Sequence, residues 1–101
     1  MLRFEIVFSE QAKTDIQNLS EAIMYEYEAP LTAFNYVQGL LDEIKKLKLI
    51  AGLLPIQQSA YFLQFGFSVR RLKYKKMTII YTLIGNTVYI QRVVSSSTIT
   101  T

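Results

Sequence analysis

The 101-residue sequence contains no histidine and no cysteine. Without histidine it lacks the commonest proton shuttle near neutral pH and the commonest metal ligand, which excludes Ser-His-Asp, Cys-His and His-based zinc sites. Without cysteine neither disulfides nor thiolate chemistry are available, which favours a reducing compartment. Long apolar runs are missing too. Leu47 to Ile56 is too short to span a bilayer and is interrupted by Lys48, Gly52 and Pro55. Met1 to Glu10 carries Glu5 and Glu10 around a short apolar run, unlike a secretory signal. A cytoplasmic location is the expectation, and no cofactor or metal is called for. Any catalysis would have to use Arg, Lys, Tyr or carboxylates.

Carboxylates are absent from the second half of the chain. All eight lie within residues 1–43, which carry a net −6, whereas residues 44–101 carry nine Lys or Arg and no acid, a net +9. The overall +3 hides this segregation. A surface of one sign concentrates partners of the other, so the second half suits phosphate or an acidic polypeptide; a solvated, lysine-guarded sheet edge is the alternative. The length fits one domain, residues 1–101, able to bury roughly two thirds of its unfolded surface and fold without staples.

Leu2 to Phe8 alternates and is mostly β-branched or aromatic, which predicts a first strand. Ser9 reads as an N-cap for an amphipathic helix whose stripe is Ala12, Ile16, Leu19 and Ile23. That helix should stop before Pro30, which opens a second one with the stripe Ala33, Phe34, Val37, Leu40, Leu41, Ile44 and Leu47 and with Gly52 as C-terminal cap. The short link makes the two an antiparallel hairpin. Met24, Tyr25, Tyr27 and Tyr36 fall beside the narrow stripes, as a widened core face or a partner-binding patch.

From Tyr61 the pattern changes to strands over residues 61–65, 67–74, 77–84 and 87–94, with Gly85-Asn86 as a two-residue hairpin turn and Lys75-Lys76 as a weaker one. Two-residue turns place Arg70, Leu72, Tyr74, Met77, Ile79, Tyr81, Leu83, Val88, Ile90, Arg92 and Val94 on one face. Two helices cover only one side of a sheet, so this apolar face should be the core. Val69, Arg71, Lys73, Thr78, Ile80, Thr82, Thr87, Tyr89, Gln91 and Val93 should form the open side. Arg70 and Arg92 on the core face must find partners or reach the rim. Arg71 and Lys73, with Lys75 and Lys76 at the hairpin tip, are the groups free to meet a ligand, and Tyr89 stands ready to stack beside them.

A strand ending Val7-Phe8-Ser9, a helix beginning Glu10-Gln11-Ala12-Lys13, a second helix rich in Leu and Lys, and a meander containing Val69-Arg70-Arg71-Leu72, Ile79-Ile80-Tyr81, Gly85-Asn86-Thr87-Val88 and Ile90-Gln91-Arg92-Val93 together resemble the RelE/ParE superfamily of bacterial toxins. The resemblance covers nearly the whole chain. It implies an α+β fold of two layers, a helical hairpin on a mostly antiparallel sheet with the first strand beside the last. It also implies the toxin component of a type II toxin-antitoxin module, with a cognate antitoxin as primary partner, docked on the helical hairpin and a sheet edge.

Two activities occur in that superfamily. RelE-like members are ribosome-dependent endoribonucleases that use basic and aromatic or histidine groups; here Arg71 matches one basic position, but Thr78 stands where an Arg would precede the apolar-apolar-Tyr string. After Val94 the chain reads Ser-Ser-Ser-Thr-Ile-Thr-Thr, without base, acid or aromatic group. ParE-like members act by binding DNA gyrase, and Arg70-Arg71-Leu72, Tyr81 and Arg92-Val93-Val94 match their pattern better, up to the point where His-Gly would follow. The expected reading is therefore a ParE-like, protein-binding toxin rather than an enzyme, with Arg70, Arg71, Lys73, Tyr81 and Arg92 as target or antitoxin contacts. A RelE-like ribonuclease acting on ribosome-bound messenger RNA, and a non-toxic relative that keeps only antitoxin binding, are the alternatives.

Overall fold

Ser9 opens the first helix through its own side chain: its Oγ accepts the Ala12 N–H at 2.9 Å, as an N-cap should, and donates to the Gln91 carbonyl at 2.8 Å. A computed structural model describes residues 3–100. Strand β1 (Glu5–Phe8) leads into helix α1 (Glu10–Tyr27) and helix α2 (Pro30–Lys45). Pro30 sits in the first turn of α2, where its missing N–H costs nothing, and Glu28 closes α1 with a left-handed φ of 48°. The stripe does not continue to a glycine cap. Instead α2 ends at Lys45, a single helical turn α3 (Leu47–Ile50) follows, and Gly52 lies inside a 3-10 turn, Ala51–Leu53. Next come a short helix α4 (Ala60–Leu63) and the meander β2 (Val69–Tyr74), β3 (Met77–Ile84) and β4 (Thr87–Ser95). Among the described residues no helix is long and apolar enough to cross a membrane.

The sheet order is β1-β4-β3-β2, with β1 parallel to β4 and the other pairs antiparallel. Both hairpin registers are the expected two-residue ones, Tyr74 opposite Met77 and Ile84 opposite Thr87. Lys75 takes φ 51°, an unfavourable backbone for a lysine, while its ammonium lies 5.2 Å and 5.4 Å from the Tyr36 and Tyr74 ring centres; this cation–π contact offsets part of the strain.

The helical layer covers the face bearing Leu72, Ile79, Tyr81, Val88 and Ile90, which pack with Ala12, Leu40, Ile44, Leu47 and Ala51. Fully burying such a side chain contributes about 1.5–3 kcal/mol, so this layer carries most of the apolar stabilisation. Three expectations are corrected. Residues 61–65 are not a strand: Ala60–Leu63 is helical, and β2 begins at Val69 rather than residue 67. In β4 a bulge shifts the register, with Ile80 opposite Arg92 but Tyr81 opposite Ile90, leaving Gln91 as the extra residue. Beyond it the faces exchange: Val93 enters the helix-side core, and Val94 joins Ile80 on the other side.

Nor is that other side open. Phe62, Val69 and Ile80 are fully buried there, packed with Tyr61, Phe65, Val94 and Ile99, so α4 and the C-terminal segment close it like a second, smaller layer. The serine-threonine tail is built into the fold: Ser96 N–H donates to the Lys76 carbonyl at 2.8 Å, the Ser96 and Thr78 hydroxyls bond at 2.8 Å, and a 3-10 turn, Ser96–Thr98, delivers Ile99 to the cluster. Truncating that anchor, Ile99→Ala, should lower stability by about 1–2 kcal/mol because the site is half-buried, read as a shift of the urea midpoint with unchanged m-value. No shift would place the tail outside the packed cluster.

Candidate functional site

Alternation along β2 sends Arg71 and Lys73 outward, opposite Ile80 and Thr78 of β3, and both side chains are exposed. Arg71 is not free-standing: its guanidinium lies 5.5 Å from the centre of the Phe62 ring, so α4 holds it in place from below. Lys75, at the hairpin tip, instead leans to the helix side over the Tyr36 and Tyr74 rings and does not extend the row of Arg71 and Lys73. Tyr89 is 38% exposed on the Arg71 side of the sheet, while Gln91 is tied to Thr82 Oγ1 at 3.0 Å. The accessible groups of this face are Arg71, Lys73 and Tyr89, whereas Thr78 and Thr82 are buried and bonded to Ser96 and Gln91. Such a set can bind anions and pack against an apolar chain.

Three of the expected contact residues serve the fold. Tyr81 is fully buried beneath the helices and donates its hydroxyl to the Ala51 carbonyl at 2.8 Å. Burial pushes its pKa up to about 12, against a smaller lowering by Arg70. Arg70 Nη1 donates to the carbonyls of Ala51 and Leu54 at 3.2 and 3.0 Å, tying the irregular segment after α3 to the sheet, although its buried Nε has no partner. Because the folded pKa of Tyr81 lies above the ordinary 10.0, its contribution is complete below pH 10 and lost as pH rises towards 12. Tyr81→Phe should therefore cost about 1 kcal/mol at pH 8 and flatten the fall in stability between pH 10 and 12, measured by urea unfolding at several pH values. An unchanged alkaline profile would remove Tyr81 from that role.

Arg92 is clamped. Its Nε and Nη2 donate to the two carboxylate oxygens of Asp15 at 2.7 and 3.0 Å, and the Val93 N–H donates to the same carboxylate at 2.9 Å. This bidentate bond pushes the Arg92 pKa up. Only Arg71 and Lys73 of the five candidates thus remain presented to a partner. Sequence reasoning had not singled out Asp15 as a partner, although its place on the apolar stripe of α1, between Ala12 and Ile16, was a signal that this acid faces inward.

A second surface lies along β1. Glu5 and Ser9 donate to β4-side carbonyls, of Asn86 at 2.8 Å and Ile90 at 3.0 Å, so by alternation Ile6 and Phe8 present their backbone groups to the outer edge. Beside that edge runs a groove of about 250 Å³ lined by Ile6, Phe8, Leu41 and Ile44 and flanked by Lys45 and Lys48. A neighbouring groove along the start of β1 is lined by Arg3, Glu5 and Lys48. An open edge bordered by apolar floor and cations is the arrangement that accepts an extended acidic segment.

No family model matches the sequence, and no curated protein matches it. Solved structures do. The chain is similar to one in the chromosomal ParDE toxin-antitoxin system from P. aeruginosa, with TM-score 0.74 and 15% identity over 94% of this chain and 98% of that one. It is also similar to one in the RelBE2 toxin-antitoxin complex from Mycobacterium tuberculosis, with TM-score 0.57 and 14% identity over 92% and 98%. The chain shares with these two the fold described above: an N-terminal strand, a helical hairpin and a four-stranded, mostly antiparallel sheet.

Proposed function

We propose that the chain is the toxin of a type II toxin-antitoxin module, that it acts in the cytoplasm by binding a protein target, DNA gyrase, as ParE-like toxins do, and that a cognate antitoxin neutralises it. The observation that carries the binding reading is the closed outer sheet face. The apolar cap of Phe62, Val69, Ile80 and Ile99 covers part of that face, and the exposed groups beside it, Arg71 and Lys73, are cations suited to docking, which supports the binding reading. Arg71 and Lys73 suit the target or the antitoxin through charge complementarity, which adds to encounter rate and specificity.

The antitoxin fits the β1 edge: an extended segment with acidic residues pairs with the backbone of Ile6 and Phe8, drops apolar side chains into the groove and meets Lys45 and Lys48. A plasmid-supercoiling assay with purified gyrase tests the proposal. Added chain should stop supercoiling, and an equimolar antitoxin should restore it; undisturbed supercoiling together with cleavage of ribosome-bound messages would contradict it. One observation favours a second reading, a relative that binds antitoxin but is not toxic: the tail folds back onto the sheet through Ser96 and Ile99 instead of extending as a basic end.

A further inference from the structure

The end of the helical hairpin has the opposite character to the β1 groove. Between Lys13 and Lys45 the chain has no Lys or Arg. Where α1 turns into α2, Met24, Tyr25, Tyr27, Leu31 and Phe34 are 42, 86, 61, 71 and 59% exposed. These are large apolar side chains grouped within the last turn of one helix and the first turn of the next, joined by two residues. Glu21, Met24 and Tyr25 recur at i, i+3 and i+4, which puts them on one stripe, and they line a groove of about 420 Å³. Glu28 continues the stripe. Asp15 and Glu43 are paired, with Arg92 and Lys46 respectively, but among the described residues Glu21, Glu26 and Glu28 form no ion pair.

We propose that this end of the hairpin is a docking surface for a cationic amphipathic segment of a partner protein. Its apolar stripe lies along Met24, Tyr25, Leu31 and Phe34, with its Lys or Arg against Glu21 and Glu28, while Glu26, off that stripe, adds only to the local negative charge. The charge decides the occupant. A second copy packed on this stripe about a two-fold axis would bring Glu21 and Glu28 up against the same carboxylates, and an acidic segment would be repelled in the same way. A cationic segment gains ion pairs and stacks its charges on Tyr25 and Tyr27. The fifteen-residue rise of α2 from Pro30 to Lys45 separates this surface by about 22 Å from the lysine-flanked groove, so the two ends address segments of opposite charge and can be occupied together. The inference stands whether or not the chain is a toxin.

The test is a fluorescence-anisotropy titration of the intact chain with a synthetic Leu/Lys helical peptide of amphipathic period and with its Leu/Glu counterpart. Two variants accompany it, Glu21→Gln/Glu26→Gln/Glu28→Gln and Tyr25→Ala/Phe34→Ala. All five positions are exposed, so both variants should keep the parent's circular dichroism and melting temperature. The Lys peptide should bind the intact chain, each variant should weaken it at least tenfold, and neither should change what the Glu peptide does. Equal affinity in all three proteins would overturn the proposal. So would a loss confined to the Gln variant, which denotes unspecific attraction to charge, or a dimer in sedimentation equilibrium that Tyr25→Ala/Phe34→Ala dissolves, which would make a second copy the occupant.

Discussion

Asp15→Ala should destabilise the protein by about 3 kcal/mol, the largest loss expected of any single truncation of a charged residue here. The Asp15 side chain is only 10% exposed and accepts three hydrogen bonds, two from Arg92 and one from the Val93 N–H. Strand β1 pairs with β4 only from Thr87 to Ile90, so past the bulge β4 becomes an edge. The carboxylate stands there in place of a neighbouring strand. Removing it leaves a half-buried guanidinium and a backbone donor without their acceptor, each a desolvation cost on the order of 1–3 kcal/mol. For a domain of this size the melting temperature should fall on the order of 15 °C. Asp15→Asn, which keeps one acceptor oxygen, should lose about half as much. Thermal melts followed by circular dichroism would show it; a fall of only a degree or two would mean that water replaces the clamp without loss.

Replacing Arg71 and Lys73 together by Ala should weaken binding of the partner by about 10–30-fold, roughly 1.4–2 kcal/mol, while leaving the fold intact. Both side chains are exposed and neither forms a salt bridge among the described residues, so their removal leaves no buried charge unpaired. Because the attraction is between surface charges, the difference between parent and variant should shrink as salt is raised from 0.05 to about 0.5 M, where screening acts within a few ångströms. Isothermal titration of antitoxin or gyrase at two salt concentrations measures this. A variant that melts far below the parent would instead mean that Arg71 supports the fold through the Phe62 ring.

Local signals proved sufficient where one interaction decided the outcome. Ser9 capped its helix, Pro30 opened the next, and Gly85-Asn86 placed Ile84 opposite Thr87. The helix-side core from Leu72 to Ile90 followed from alternation and from the need of two helices for an apolar face. The bulge at Gln91 was not legible, because Val93 and Val94 fit either face equally well and only the tertiary clamp of Asp15 on the Val93 N–H chooses between them. The run Tyr61-Phe62-Leu63-Gln64-Phe65 has strand-like composition, yet it folds as a turn of helix because Val69 and Ile80 need a cover, a demand that arises only once the sheet exists. Arg70, Tyr81 and Arg92 became anchors rather than contacts for a reason local patterns do not carry, since their partners, the Ala51 and Leu54 carbonyls and Asp15, lie 16 to 77 residues away. Arg71 and Lys73 were legible as outward groups because their alternation precedes the bulge.

Induction of the intact chain in bacteria, with a DNA-damage reporter and the 5′ ends of ribosome-bound messages read in the same culture, tests most directly whether this domain acts by binding rather than by cutting. Arrested growth with the reporter switched on and the messages whole is the result expected of a cationic sheet face closed by Phe62 and Ile99. Messages cleaved on the ribosome with the reporter silent would contradict it.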